Sequence, residues 1–408
     1  MRSFAASLMA TLMVAGRASA WVPSVSALGT SSLRRGAASQ ARSSERALSG
    51  AGAWVGEAYG FEMEAAVKAV ASACGVAKAL QRAGIERYDK SDLSPVTVAD
   101  IAVQCVVISR LREAFPGDSF VAEESASDML ARGPEGLAAL EGAARACGTT
   151  FEALVEAVDL GRAPRGGAAR TWVLDPVDGT KGFLRGAQFC VALALLDATS
   201  PTSPKRDAVL GVLGCPNLGA ACALPDGDPV DAPGVVVAAA AGRGARYAAL
   251  RDLDGDYAAA DWVAATASKN DFADGRLVEG VARSHSDHDA SATAAAALGI
   301  HKPPLRLDSQ AKAALLANGH AELFCRLPSP GYVERVWDFC AAKVVIREAG
   351  GDITDLDGND IDVDLGEALS PDVTGIVATS DPRLQAAALA AVNDARANPA
   401  ASFSSSSP

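Results

Sequence analysis

The sequence contains no Cys-x-x-Cys pair, and its eight cysteines are scattered without the spacing of a zinc site. That excludes a small zinc module, and a disulfide framework does not suit a chain of this size in a reducing compartment. Several thiols sit inside apolar runs such as FCVALALL and LFCRLP, where cysteine behaves as a small hydrophobe. Aromatic residues make up only 5% of a chain that is 49% hydrophobic, so the core must be built from small aliphatics. No stretch after the N-terminus is long and apolar enough to span a bilayer. Basic residues are also short: from Ala51 onward 31 Lys and Arg face 48 Asp and Glu, a net of −17. A body this acidic excludes nonspecific nucleic-acid binding. Any anionic ligand must be met by a local basic cluster or by bound cations.

The N-terminus inverts this balance, with five arginines and no acid between Met1 and Ser44. Residues 1–20 pair an early Arg with an apolar stretch from Phe4 to Gly16 and an ASA ending, a signal-peptide pattern. Residues 21–50 are rich in Ser, Ala and Arg, which is transit-peptide composition. Together they resemble a two-part plastid leader, with secretion as the alternative. Residues 397–408 end in a serine run and read as a disordered tail.

Between these ends the apolar spacing predicts helices over Tyr59–Arg82 and from Asp100 to Phe115, the second stopped by Pro116-Gly117. SFVAEE reads as a strand ending in Glu123-Glu124. Residues from about Ser127 to Ala169 read as a helical or loop-like insertion outside the sheet. AQFCVALALLD and AVLGVLGCPNL are strand-like, and from about Asp207 strands and helices are expected to alternate as in an α/β layer.

The stretch WVLDPVDGTKGFLRG, Trp172 to Gly186, sends an apolar run into two aspartates three residues apart. Pro176 cannot donate to a ladder, so the strand is expected to stop near Asp175. Asp178-Gly179 is turn chemistry, and Gly179-Thr180 can open a helix whose first N–H groups lack partners. Two carboxylates beside such a helix start can hold a divalent metal next to a phosphate. Taken singly, these acids also read as solvated loop residues, and Asp338 in VWDFCAAKVVIREAGG as a helix cap.

Their order narrows the reading. The loop D-x-SPVT-x-x-D from Asp92, the strand AEES with Glu123, DPVDGT with Asp175 and Asp178, and WD…EAGG with Asp338 follow one another at regular intervals. The sequence thereby resembles the magnesium-dependent, lithium-sensitive phosphatases of the inositol monophosphatase type, from about Trp54 to Ala388. Within that group DGTKGF, GVLGCPNL, HSDH, DSQAK and RLP are similar to the 3'(2'),5'-bisphosphate nucleotidases.

The resemblance implies an α+β or α/β chain folded as a layered α/β/α/β/α sandwich. Residues 51–204 would form an N-terminal α+β domain with the metal site, and residues 205–396 a C-terminal α/β nucleotide-binding domain. It implies removal of the 3'-phosphate of 3'-phosphoadenosine 5'-phosphate, with its phosphosulfate as a second substrate. An inositol polyphosphate 1-phosphatase, another sugar-phosphate phosphatase and a turnover-poor nucleotide sensor are the alternatives. Two or three Mg²⁺ ions would be held by Glu123, Asp175, Asp178, Asp338 and the Val177 carbonyl. Asp92 would pair with Thr180 to orient and deprotonate water, and Gly179 and Thr180 would present N–H groups to the phosphate. His285, Ser309, Lys312 and Arg326 match nucleotide contacts. The mature protein is expected to be monomeric, away from membranes and without nucleic-acid partners.

Three departures from the family pattern stand out. WDFCAA places Phe339, Cys340 and Ala342 where His, Ala and Gly are common. Ala313 takes the place of a Tyr after DSQAK. Asp287 in HSDH adds a negative charge beside an expected anion site.

Overall fold

The computed structural model describes residues 53–86, 95–164, 167–200, 206–253, 257–281 and 286–398. The leader, the tail after 398, Asp92 and His285 lie outside the described residues.

The first two helices, α1 (Gly60–Glu86) and α2 (Pro95–Ala114), lie side by side. On α1 the buried Met63, Val67, Val70, Cys74 and Ala77 recur at helical steps and define one apolar face. On α2 the apolar positions go all round, because the helix is covered on two sides. β1 (Ser119–Ala122) then leads into α3 (Ala126–Ala131), α4 (Pro134–Cys147) and α5 (Phe151–Asp159), which pack on the outer side of α2 through Leu140 and Leu154. The expected insertion is thus three helices set against a helix, away from the sheet.

β2 (Arg170–Asp178), the five-residue helix α6 (Thr180–Leu184), β3 (Cys190–Asp197) and β4 (Asp207–Cys215) follow. β5 (Val235–Ala240), β6 (Ala245–Ala249) and β7 (Val263–Ala265) complete a seven-stranded sheet in sequential order, parallel only between β1 and β2. The expected strand–helix alternation after Asp207 therefore starts late. β4 to β7 form an antiparallel meander, and the turn from β5 to β6 is too short for a crossover helix. The boundary expected at 204/205 falls between β3 and β4, which pair along their lengths in one sheet.

Alternation begins with β8 (Leu277–Glu279), α7 (His288–Ala297), β9 (Leu305–Arg306), α8 (Ala311–Ala317) and β10 (Leu323–Arg326). Then come α9 (Cys340–Glu348), β11 (Asp352–Asp355), β12 (Ile376–Thr379) and α10 (Pro382–Ala397). The second sheet has the order β11-β12-β10-β8-β9 and mixes parallel with antiparallel pairs.

Burial assigns the layers. On β3, Val191, Leu193 and Leu195 face α1 and α2, while Ala192, Ala194 and Leu196 face α8 and α9. On β10, Phe324 faces the same α8–α9 layer, and Leu323 and Cys325 face α7 and α10. The stack is helix, sheet, helix, sheet, helix, an α/β/α/β/α sandwich.

Candidate active site

β2 does not stop at Asp175. Its ladder pairs Asp175 with Ala192 and Asp178 with Cys190, so one extra residue bulges between them. Pro176 and Val177 fall in this bulge, where a missing N–H costs no ladder bond. The bulge also sets the direction of the acids. Residues three apart on a regular strand face opposite sides. Here the extra residue restores parity: Trp172, Leu174 and Val177 pack toward α1 and α2, and Asp175 and Asp178 share the other face with Val173. In β1, paired in parallel with β2, Val121 lies on that same face, and alternation carries Glu123 there too.

Asp338 arrives from the opposite layer. It ends a 3₁₀ turn, Val336–Asp338, just before α9, and no side chain caps that helix, so Asp338 does not serve as its cap. Carboxylate oxygens of Asp175, Asp178 and Asp338 lie within 4.8 Å of one another. Burial, followed by the like charges around it, holds the Asp175 carboxyl well above the usual carboxylate range. The Asp338 carboxyl is raised for the same reasons. Burial and the charges of Glu124 and Asp178 push Glu123 up to about 7. One oxygen of Asp175, Oδ1, is buried without a hydrogen-bond partner. Converging oxygens, mutual repulsion and an orphaned buried acceptor fit a hard divalent cation.

Two glutamines unnoticed in the sequence hold this arrangement. Gln104 of α2 is fully buried; its amide donates to the carbonyls of Glu124 (2.8 Å) and Val158 (2.9 Å) and accepts from the Glu124 N–H (3.0 Å). It thereby fixes the end of β1 beyond Ala122. Gln310 donates its side chain to the Trp337 carbonyl (3.0 Å), accepts from Ala342 N–H (3.2 Å), and gives its main-chain N–H to Asp178. One residue thus ties β2 to the turn carrying Asp338.

The other expected residues divide as follows. Gly179 has φ +89°, and a Cβ there would stand 2.9 Å from that of Ser309, so only glycine fits. Thr180 begins α6 and is exposed; α6 packs against α2. Asp100, the second acid of the D-x-SPVT-x-x-D loop, sits in the first turns of α2. It is buried, and burial with the charges of Glu124 and Glu123 holds its carboxyl well above the ordinary range. The sequence marked Asp100 only as a motif letter, and the structure brings it to the acids.

A cleft of about 440 Å³ opens beside Asp178 and Asp338, walled by Ser309, Lys312, Phe324, Arg326 and Phe339. Ser309, at φ +72°, Lys312 and Arg326 are brought together as expected, but neither cation is idle. Lys312 Nζ donates to the Ser309 carbonyl at 2.6 Å, and burial lowers its pKa against the pull of Asp178. Arg326 forks onto Glu334 at 2.6 and 3.2 Å. The departures Ala313, Phe339 and Ala342 all line this cleft. Asp287 has a structural role of its own: Oδ1 accepts the N–H groups of Asp289 and Ala290 at 3.0 Å and caps α7. A second, polar cleft of about 860 Å³ adjoins Glu123 and Asp338 and is bordered by Arg132, Arg162, Arg335 and Trp337.

The model of the inositol monophosphatase family matches residues 54–397. The chain belongs to that family. A 3'(2'),5'-bisphosphate nucleotidase of Oryza sativa is 37% identical over 361 residues, covering 83% of this chain and 96% of the relative. Enzymes of the same description from Emericella nidulans and Arabidopsis thaliana are 36% and 35% identical, covering 71% and 72% of this chain and 85% of each relative. Within the family the chain falls in this nucleotidase branch, and it is a hydrolase. Among solved structures, an inositol monophosphatase from Zymomonas mobilis superposes with a TM-score of 0.52 at 17% identity, covering 83% of this chain and 99% of that one. One from Anabaena gives 0.51 at 18%, covering 82% and 96%. These two share the fold.

Proposed function

We propose that the chain removes the 3'-phosphate of 3'-phosphoadenosine 5'-phosphate, giving AMP and orthophosphate, and that its phosphosulfate is a second substrate. The observation carrying this reading is the first cleft. A wall of Phe324, Phe339, Ala313 and Ala342 suits a flat purine better than a polyol, and Lys312 and Arg326 stand beside it in an otherwise acidic chain. The names of the relatives support the same substrate.

Glu123, Asp175, Asp178, Asp338 and the Val177 carbonyl would hold two or three Mg²⁺ ions. When bound, these would neutralise the phosphate dianion and make a water acidic enough to attack. The chain supplies the rest. Gln104 and Gln310 keep the carboxylates in place, and Thr180 at the start of α6 orients the water. A buried carboxylate next to the acids takes the proton; Asp100 meets that description, whereas Asp92 lies outside the described residues. Ser309, Lys312 and Arg326, with His285, hold the nucleotide and its retained phosphate. The protein works in a plastid, on the strength of its acid-poor leader.

The deciding experiment compares kcat/KM for 3'-phosphoadenosine 5'-phosphate and inositol 1,4-bisphosphate. Preference for the nucleotide by tenfold or more is expected. Preference for the inositol ester would overturn the substrate assignment, and no turnover of either would favour a sensor.

A further inference from the structure

Apart from Glu123 and Asp338, the residues of the second cleft have no part in the reaction described above. It meets the acids at Glu123 and Asp338, and Asp338 is the wall it shares with the nucleotide cleft. Three arginines border it, and they differ in how far they are committed. Arg162 pairs with Glu367 and donates to the Glu123 carbonyl. Burial raises the Glu124 carboxyl above the usual carboxylate range, against the opposing pull of Arg132 and Arg162. Arg335 is exposed and makes no ion pair among the described residues; its guanidinium sits 5.8 Å from the centre of the Trp337 ring. Arg162 approaches the same ring at 5.7 Å, so the indole braces two guanidinium groups at the cleft. Of the acids there, Glu367 and Glu124 have basic neighbours, Glu123 and Asp338 face the cation site, and Asp128 stands exposed on the rim.

Hydrolysis of a phosphate monoester leaves two anions at one site. Water adds to phosphorus, the ester P–O bond breaks, and the proton taken from the water passes to the leaving alkoxide. The nucleotide product then still occupies the cleft of Lys312 and Arg326, and orthophosphate remains against the carboxylate cluster. It can leave ahead of the nucleotide only through another opening.

We propose that the Arg335 cleft is an orthophosphate site on this exit path, with Arg335 as its uncommitted cation and Arg132 and Arg162 at its flanks. A guanidinium fork matches two phosphate oxygens, and Trp337 keeps that fork in place without neutralising it. The inference rests on the phosphatase reading above.

Product inhibition tests it, with 3'-phosphoadenosine 5'-phosphate as substrate and Mg²⁺ present. Arg335→Ala should raise the inhibition constant of inorganic phosphate by about tenfold and that of AMP by less than about twofold. Arg335→Lys, which restores the charge without the fork, should recover only part of the loss. An unchanged phosphate constant, or equal rises for phosphate and AMP, overturns the assignment. If the unaltered protein hydrolyses no nucleotide, the phosphatase reading fails instead. Calorimetric binding of inorganic phosphate to the Mg²⁺-loaded protein then decides the cleft alone: weaker binding by Arg335→Ala is expected, and equal affinity overturns it.

Discussion

The main-chain N–H of Gln310 donates to a carboxylate oxygen of Asp178, closing the loop before α8 onto the end of β2. The same residue's side chain spans the Trp337 carbonyl and the Ala342 N–H, on either side of Asp338. Gln310→Ala should therefore act on the cation site without removing a ligand. The expected result is a severalfold rise in the Mg²⁺ concentration giving half-maximal activity, with about 1–3 kcal/mol of stability lost from the buried groups left unpaired. A drop in stability with unchanged Mg²⁺ dependence would make Gln310 merely structural.

Asp178→Asn keeps the shape of the side chain and removes one charge from the cluster it forms with Asp175 and Asp338. Turnover should fall by about two to four orders of magnitude. Near-normal kcat at low Mg²⁺ would place the chemistry elsewhere.

Glu123, Asp175 and Asp338 all have carboxyls raised by burial and mutual repulsion. A raised folded-state pKa means that the folded chain binds more protons than the unfolded one. Its stabilising effect is full below the unfolded carboxylate range and is lost as pH rises through the folded value, about 7 for Glu123. In chelator, the melting temperature should fall between pH 5 and 8, and Mg²⁺ should restore it most at the alkaline end. Asp175→Asn should flatten the chelator profile. A melting temperature that rises with pH in chelator would contradict the repulsive cluster.

Arg326 pairs with Glu334, whose side chain is 0% exposed, so Arg326→Ala leaves a buried carboxylate alone. A loss of about 3–5 kcal/mol is expected from that variant, largely recovered by adding Glu334→Gln. The double variant and Lys312→Ala should raise KM for the bisphosphate about tenfold or more while barely changing that for adenosine 3'-monophosphate. Equal losses on both substrates would remove these residues from the second phosphate.

A fluorescent fusion of Met1 to Ser49 should enter plastids. Secretion of the fusion into the medium would sink the targeting proposal.

The four acids were legible because cation chemistry demands oxygen ligands, and their order along the chain is distinctive. What the sequence hid was their support. Gln104 lies in an apolar helix and Gln310 in a loop, and each acts through main-chain groups distant in sequence, which leaves no periodic trace. Nothing local in the sequence marks Glu334 as the buried partner of Arg326. The proline at 176 pointed to a strand end because a missing N–H usually means one; the bulge was the other solution. The meander of β4 to β7 was read as alternation since short buried strands and helix segments share the same apolar composition. Asp100 was in the motif, but only the packing of α2 separates it from Asp92.

The bulge in β2 makes the two-residue gap between Asp175 and Asp178 a statement about handedness toward the cations. A chain whose β2 kept every residue but paired with β3 in regular alternation, with no bulge, would still contain every acid of the site. With Asp175 and Asp178 three apart on an uninterrupted strand, one of the two carboxylates would be turned into the apolar layer of α1 and α2. Such a protein would pass any inventory of ligands and be unable to gather them, so in this fold the insertion of one residue is as much a part of the catalyst as the acids it reorients.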